Sequence, residues 1–238
     1  MDAHTSRAAS ADGRAQRDFT TMPAAVLWDM DGTLIDTEPY WIAAETELAN
    51  RHGVTWTYED GLSLVGMSLV HSARILQERG IALEVNEILD YLVVRVTAQV
   101  RSHVPWQPDA RALLGKVVEA GIPCALVTMS YKPLADAFLS AASEAFSVVV
   151  TGEQVERGKP DPESYLKAAD ALGVPVASCI AIEDSPSGIA SAYTAGAVTI
   201  GVRRLVPVEP RPGLRIVDTL DGIEVETLTA MVTPSRAS

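Results

Sequence analysis

Cysteine is scarce in this sequence, with two residues in 238, and no apolar run approaches the roughly 18 residues that would span a bilayer. Both cysteines, Cys124 and Cys179, open short apolar runs, so they read as small buried thiols rather than as a disulfide or a catalytic thiol. The N-terminus has no apolar stretch that could form the core of a secretory signal, so cytoplasmic residence is the expectation. Positive charge is also in short supply: 19 Lys and Arg face 31 Asp and Glu, a net charge of −12. The first 22 residues carry three arginines and three aspartates, so the excess of acid lies in the remainder of the chain. Such a chain does not bind nucleic acid through a general basic surface. A small phosphorylated metabolite stays compatible, because a metal ion, one lysine and backbone N–H groups can meet its charge locally.

What is present is a globular composition, 47% hydrophobic and 21% charged, long enough for one α/β domain with a small insert. Residues 1–22 form an Ala- and Ser-rich segment expected to be a flexible tail, and Met22 offers an alternative start. Beyond it, five short apolar runs read as strands buried on both faces: Ala24 to Trp28, Pro123 to Val127, Ser147 to Val150, Cys179 to Ile182 and Val198 to Val202. Between the later runs lie helical stretches over Asp109 to Ala120, Pro133 to Ala142, Pro162 to Leu172 and Pro186 to Ala195. Pro133, Pro162 and Pro186 suit first helical turns, and Gly121, Gly173 and Gly196 suit the stops. The alternation predicts a doubly wound parallel sheet, an α/β core.

The first interval breaks that rhythm. Three helices are predicted over Glu38 to Asn50, Ser68 to Arg79 and Val85 to His103, far more chain than one crossover needs. The expected organisation is a core domain built from residues 23–36 and 106–238, interrupted by a helical cap over residues 37–105.

Ligands in open α/β sheets bind beyond the carboxyl ends of the strands. There the sequence sets Asp29-Met30-Asp31-Gly32-Thr33, Thr128-Met129-Ser130, Gly158-Lys159-Pro160-Asp161-Pro162 and Glu183-Asp184-Ser185. Four carboxylates converging on one crevice repel one another unless a cation sits among them, and hard oxygen ligands suit magnesium, which Asp29 and Asp184 can ligate. A carboxylate can attack phosphorus, and a second acid two residues on can protonate a leaving alcohol. The Thr128 hydroxyl, backbone N–H groups and the Lys159 ammonium can hold phosphate oxygens.

These four segments, in this order, resemble the four motifs of the haloacid dehalogenase-like hydrolases, and the likeness runs from about Pro23 to at least Val202. The resemblance implies Asp29 as nucleophile and Asp31 as general acid and base. It also implies magnesium held by the Asp29 carboxylate, the Asp31 carbonyl and the Asp184 carboxylate, with Glu183 acting through water. Thr128, the Met129 backbone N–H, Lys159 and Gly66 in the cap loop are the expected substrate contacts. Many relatives carry Asn where this chain has Met129, so any contact from that amide is absent. The helical insert matches the family's type-one cap, which closes over substrate.

The implied activity is a magnesium-dependent phosphatase acting on a small phosphomonoester through an aspartyl-phosphate. The nearest alternative is a sugar phosphomutase similar to β-phosphoglucomutase. Those enzymes carry a cap His where this chain has Trp41, and an Arg where it has Leu69. Dehalogenation has no use for the acid at Asp31. Phosphonoacetaldehyde hydrolysis requires a cap lysine, and residues 37–105 contain none. A phospho-accepting signalling or binding domain would place its acid after the third strand, where this chain reads Thr151-Gly152-Glu153. His71, Arg74 and Arg157 read as ordinary surface residues, whereas Trp41 can line the cleft. Oligomeric state is not legible, and a cap of this size allows a monomer to close its own site.

Overall fold

The computed structural model describes residues 22–65 and 67–232. The expected tail therefore lies outside the described residues, apart from Met22.

Six parallel strands form one sheet: β1 (Ala25–Trp28), β2 (Cys124–Val127), β3 (Val148–Val150), β4 (Cys179–Glu183), β5 (Val198–Val202) and β6 (Arg215–Val217). Their spatial order is β3-β2-β1-β4-β5-β6. The chain winds outwards to β3, then returns to lay β4 beside β1, which leaves a crevice at the carboxyl ends of the central strands. Every residue of β1 is buried, and the pleat divides them. Val26 and Trp28 enter the larger hydrophobic core on one face, while Ala25 and Leu27 join Tyr165, Ala168 and Ala192 on the other. This two-sided burial explains why the strand reads as a continuous apolar run. Cys124 and Cys179 are free and buried on the strands flanking β1, and burial pushes both thiols up to about 11.

Between β1 and the crossover helix over Pro108–Glu119 that precedes β2, the described residues form four further helices: α1 (Glu38–Arg51), α2 (Tyr58–Leu62), α3 (Leu69–Glu78) and α4 (Val85–Ser102). Leu48, Leu76, Leu92 and Val96 bury their apolar faces in a core continuous with that of the sheet. The two connecting segments run side by side: Asp36 N–H donates to Pro105 O at 2.8 Å, Gln107 N–H donates to Leu34 O at 2.9 Å, and Ile35 bridges Trp106. The remaining helices are α5 (Pro108–Glu119), α6 (Lys132–Leu139), α7 (Glu163–Leu172), α8 (Pro186–Ala195) and α9 (Val225–Val232).

Sequence reasoning missed α2, β6 and α9. The first is one five-residue turn around Gly61, held by a capping box in which Thr57 and Asp60 exchange hydrogen bonds. The second is three half-exposed edge residues, too short for a periodic signal.

Asp109 at the start of α5 ties this C-terminal part to the core. It accepts hydrogen bonds from Arg204 (2.7 Å), Thr219 Oγ1 (2.8 Å) and Leu220 N–H (2.9 Å). Burial pushes its carboxyl up, but those three donors outweigh burial and hold it down at about 2. Asp109→Ala is expected to cost about 3 kcal/mol, because it leaves the Arg204 charge without a partner. The native carboxyl ionises below its unfolded value of 3.8, so its stabilisation is present above that pH and is lost as pH falls through about 2. Urea unfolding at pH 7 and near pH 2 checks both points, and an equal deficit at both pH values would refute the ionic account.

Candidate active site

The chain leaves β1 at Trp28 and turns within seven residues, Leu34 N–H and Ile35 N–H both donating to Met30 O, at 2.9 and 3.1 Å. Gly32 stands in this turn with φ +84°, and a Cβ there would lie 2.1 Å from Asp184 Oδ2. No other residue fits, on backbone conformation or on space. The turn sets Asp29 and Asp31 at the mouth of the crevice, while the end of β4 brings in Glu183 and Asp184.

Lys159 reaches the same point from the loop before α7. Its Nζ donates to Asp29 Oδ1 (2.7 Å), Glu183 Oε1 (2.6 Å) and Val127 O (2.9 Å), so all three of its protons are used. Glu183 is wholly buried under the first turn of α8 and also accepts from Tyr165 OH (2.7 Å) and Ser185 Oγ (3.2 Å). A Cβ on Gly188 would fall 1.9–2.1 Å from the three atoms of its carboxylate. Burial alone would lower the Lys159 ammonium, yet Asp29 and Glu183 raise it, so it stays charged.

Burial first, then repulsion from Glu183, pushes Asp29 up to about 7 against the lowering pull of Lys159. Burial, Asp29 and Glu183 likewise raise Asp184, whose Oδ1 accepts from Thr33 Oγ1 at 3.2 Å. Asp29, Glu183 and Asp184 each offer an oxygen, all within 4.8 Å of one another. Carboxylates driven up by mutual repulsion, with hard oxygen donors converging, fit a divalent metal ion, which would relieve both the burial and the repulsion.

The Asp31 carboxylate lies outside that trio. Thr37 Oγ1 donates to its Oδ1 (2.6 Å), and Thr128 Oγ1 (3.2 Å) and Ser130 Oγ (2.7 Å) donate to its Oδ2. Three hydroxyls thus aim one acid. The Thr128 hydroxyl, expected on phosphate, is here tied to Asp31 and to Ser130 N–H (2.9 Å). The Met129 side chain turns to the loop carrying Lys159, whose N–H donates to Sδ at 3.3 Å.

A cleft of about 350 Å³ opens between these groups and the inserted helices, lined by Asp29, Asp31, Thr128, Met129, Lys159 and Asp184 on one side. Trp41, Glu38, Glu45, Leu64, Met67 and Ser68 line the other. Gly66 lies outside the described residues. His71 is exposed, and Arg157 is engaged with Asp161 at the surface. Thr37 and Ser130, which aim Asp31, and Tyr165, which holds Glu183, were not legible in the sequence. Hydroxyls near a strand end carry no signal of their own, and a tyrosine inside an apolar helix reads as core. Nor were Glu38 and Glu45 legible, which line the cleft.

Residues 26–202 match the family profile of the haloacid dehalogenase-like hydrolases. Hexitol phosphatase A of Escherichia coli (strain K12) is 36% identical over 210 residues, which cover 85% of this chain and 93% of that protein. The phosphorylated carbohydrates phosphatase of Thermotoga maritima is 33% identical over 178 residues, covering 72% of this chain and 81% of that one. Among solved structures, CbbY from Rhodobacter sphaeroides in complex with phosphate superposes with a TM-score of 0.76 at 28% identity, over 84% of this chain and 96% of that one.

Proposed function

This chain belongs to the haloacid dehalogenase-like hydrolase family, and we propose that it hydrolyses a small phosphomonoester with magnesium, carrying the phosphoryl group on Asp29. The observation that carries this reading is the pairing of two acids with opposite surroundings. Asp29 Oδ1 is held by the Lys159 ammonium at 2.7 Å, while Asp31 is aimed by three hydroxyls. One carboxylate is fixed as a nucleophile and the other as a proton carrier. The relatives named above, two of them phosphatases by name, support the same reaction class.

In the first step an Asp29 oxygen attacks phosphorus and the bond to the ester oxygen breaks. Asp31 gives its proton to the departing alkoxide. In the second step Asp31 takes a proton from water, whose oxygen attacks phosphorus and returns Asp29 as a carboxylate with release of phosphate. Lys159 holds Asp29 in place throughout, and Glu183 and Tyr165 hold Lys159. Asp29 and Asp184, with Glu183 beside them, would hold a magnesium ion, and the ion would supply positive charge against the phosphate oxygens.

The experiment is phosphate release from a panel of phosphomonoesters with and without magnesium. Release is expected to vanish in EDTA and to return with added magnesium. Activity that survives exhaustive chelation would overturn the metal-dependent reading. Conversion of a sugar phosphate into its isomer without free phosphate would favour the mutase.

A further inference from the structure

The cleft wall facing the reacting centre carries acid and no base. Among the described residues lining the cleft, Lys159 is the one lysine, and no arginine or histidine joins it. Its three protons are spent on Asp29, Glu183 and Val127 O. Opposite stand Glu38 and Glu45, both on α1 and seven residues apart. That spacing is two helical turns, so the carboxyls share one face at positions about 10 Å apart along the axis.

Glu45 is buried to 4% exposure, and its Oε2 has no hydrogen-bond partner. The indole N–H of buried Trp56 acts on this carboxyl, yet neither that N–H nor Oε2 makes a hydrogen bond of good geometry. A Cβ on Gly61 would come within 3.3 Å of the same Oε2, so the glycine gives the carboxyl its room beside the cleft. A buried, unpartnered carboxyl oxygen costs free energy in the empty protein and gains when a donor arrives. Trp41 and Leu64 supply the apolar wall beside it.

Resting on the phosphatase reading, we infer that Glu38 and Glu45 select the leaving group. They accept hydrogen bonds from hydroxyls of an uncharged polyol, an alditol or sugar monophosphate, and reject esters bearing a second anionic group. The row runs away from the reacting phosphorus, from Asp31 to Glu38 to Glu45, as a hydroxylated chain would lie. Carboxyls borne two helical turns apart on one face suit donors spread along a molecule. A second phosphate or a carboxylate would enter a wall with no free cation to meet it, which is disfavoured, whereas the carboxyls of Glu38 and Glu45, pushed up to about 7 and about 8 mainly by burial, can exchange hydrogen bonds with uncharged hydroxyls.

The test is kcat/KM for a hexitol 6-phosphate, fructose 1,6-bisphosphate, 2-phosphoglycolate, phosphoethanolamine and p-nitrophenyl phosphate, in wild type, Glu45→Leu, Glu45→Gln and Glu38→Gln. The wild type is expected to prefer the hexitol phosphate. In Glu45→Leu the ratio of hexitol phosphate to p-nitrophenyl phosphate activity should fall about tenfold, the scale of losing one buried hydrogen bond. Glu45→Gln and Glu38→Gln keep an acceptor oxygen, so each should fall less than Glu45→Leu. A wild-type preference for the bisphosphate, the phosphoglycolate or the amine would overturn the inference. So would an unchanged ratio, or an equal loss on every substrate, which marks a structural role. Hydrolysis of p-nitrophenyl phosphate that depends on Asp29 keeps the phosphatase reading standing in each of these cases. Its absence with every substrate removes both.

Discussion

Asp29→Asn should leave a folded protein whose turnover is reduced by about 10⁴-fold or more, the scale of losing a covalent nucleophile. An amide oxygen neither attacks phosphorus at a useful rate nor carries the charge that helps hold a metal ion. The fold should survive, because Asn keeps the shape of the side chain and an acceptor for Lys159. It also removes a carboxylate that burial and Glu183 disfavour in the charged form. Thermal unfolding within a few degrees of wild type, together with lost phosphate release, is the expected pair of results. Asp31→Asn should cost about 10²- to 10⁴-fold, the usual share of a general acid and base. Its surroundings predict a particular signature: a substrate with a very good leaving group needs less help from the proton donor, so the loss should shrink with p-nitrophenyl phosphate. Full activity in Asp29→Asn would end the mechanism.

Gly188→Ala should be nearly as damaging, although residue 188 touches no substrate. The added methyl would overlap all three carboxylate atoms of Glu183 at 1.9–2.1 Å, far inside any real contact. Glu183 cannot swing aside without giving up Lys159 and Tyr165, and α8 cannot lift without losing the Ser185 cap on Gly188 N–H at 3.0 Å. Breaking a buried ion pair of this kind costs roughly 3 kcal/mol or more. A loosened Lys159 also misplaces Asp29, so activity should drop by about 10²-fold through lost positioning. Gly115→Ala is the matched control, since a Cβ there meets nothing within 4 Å and a helix interior favours alanine. Glu183→Ala combined with Gly188→Ala removes the overlap, so the double variant should be more stable than the two single losses sum to. Strict additivity would show that the glycine and the glutamate do not meet.

Strands β1 to β5 and the four motifs were legible because each rests on a local pattern. A run of apolar residues ending in an acid is visible wherever it occurs, and Asp29, Lys159 and Asp184 each stand just beyond or between such runs. The orientation of Asp31 was not legible, because its three donors, Thr37, Thr128 and Ser130, come from positions up to 99 residues away. Glu45 did leave a trace. It lies on the buried stripe of α1 with Trp41, Leu48 and Ala49, where an acid is out of place. An acid in a helix is ordinarily solvated, so only the packing of α2 against it reveals that this one is enclosed. The short segments β6 and α9 adjoin Thr219 and Leu220, which Asp109 holds across 110 residues or more, a contact that no local pattern announces.

The paired backbones at residues 34–36 and 105–107 have an evolutionary consequence. The inserted helices leave and rejoin the core through neighbouring backbones, with Asp36 N–H and Pro105 O separated by a single 2.8 Å hydrogen bond. A different helical segment with similarly close ends could be grafted at that seam without stretching the turn that carries Asp29 and Asp31. On the proposed reading, selection can exchange the part that admits a substrate while inheriting the part that reacts with it, and Glu38 and Glu45 both lie on the exchangeable side.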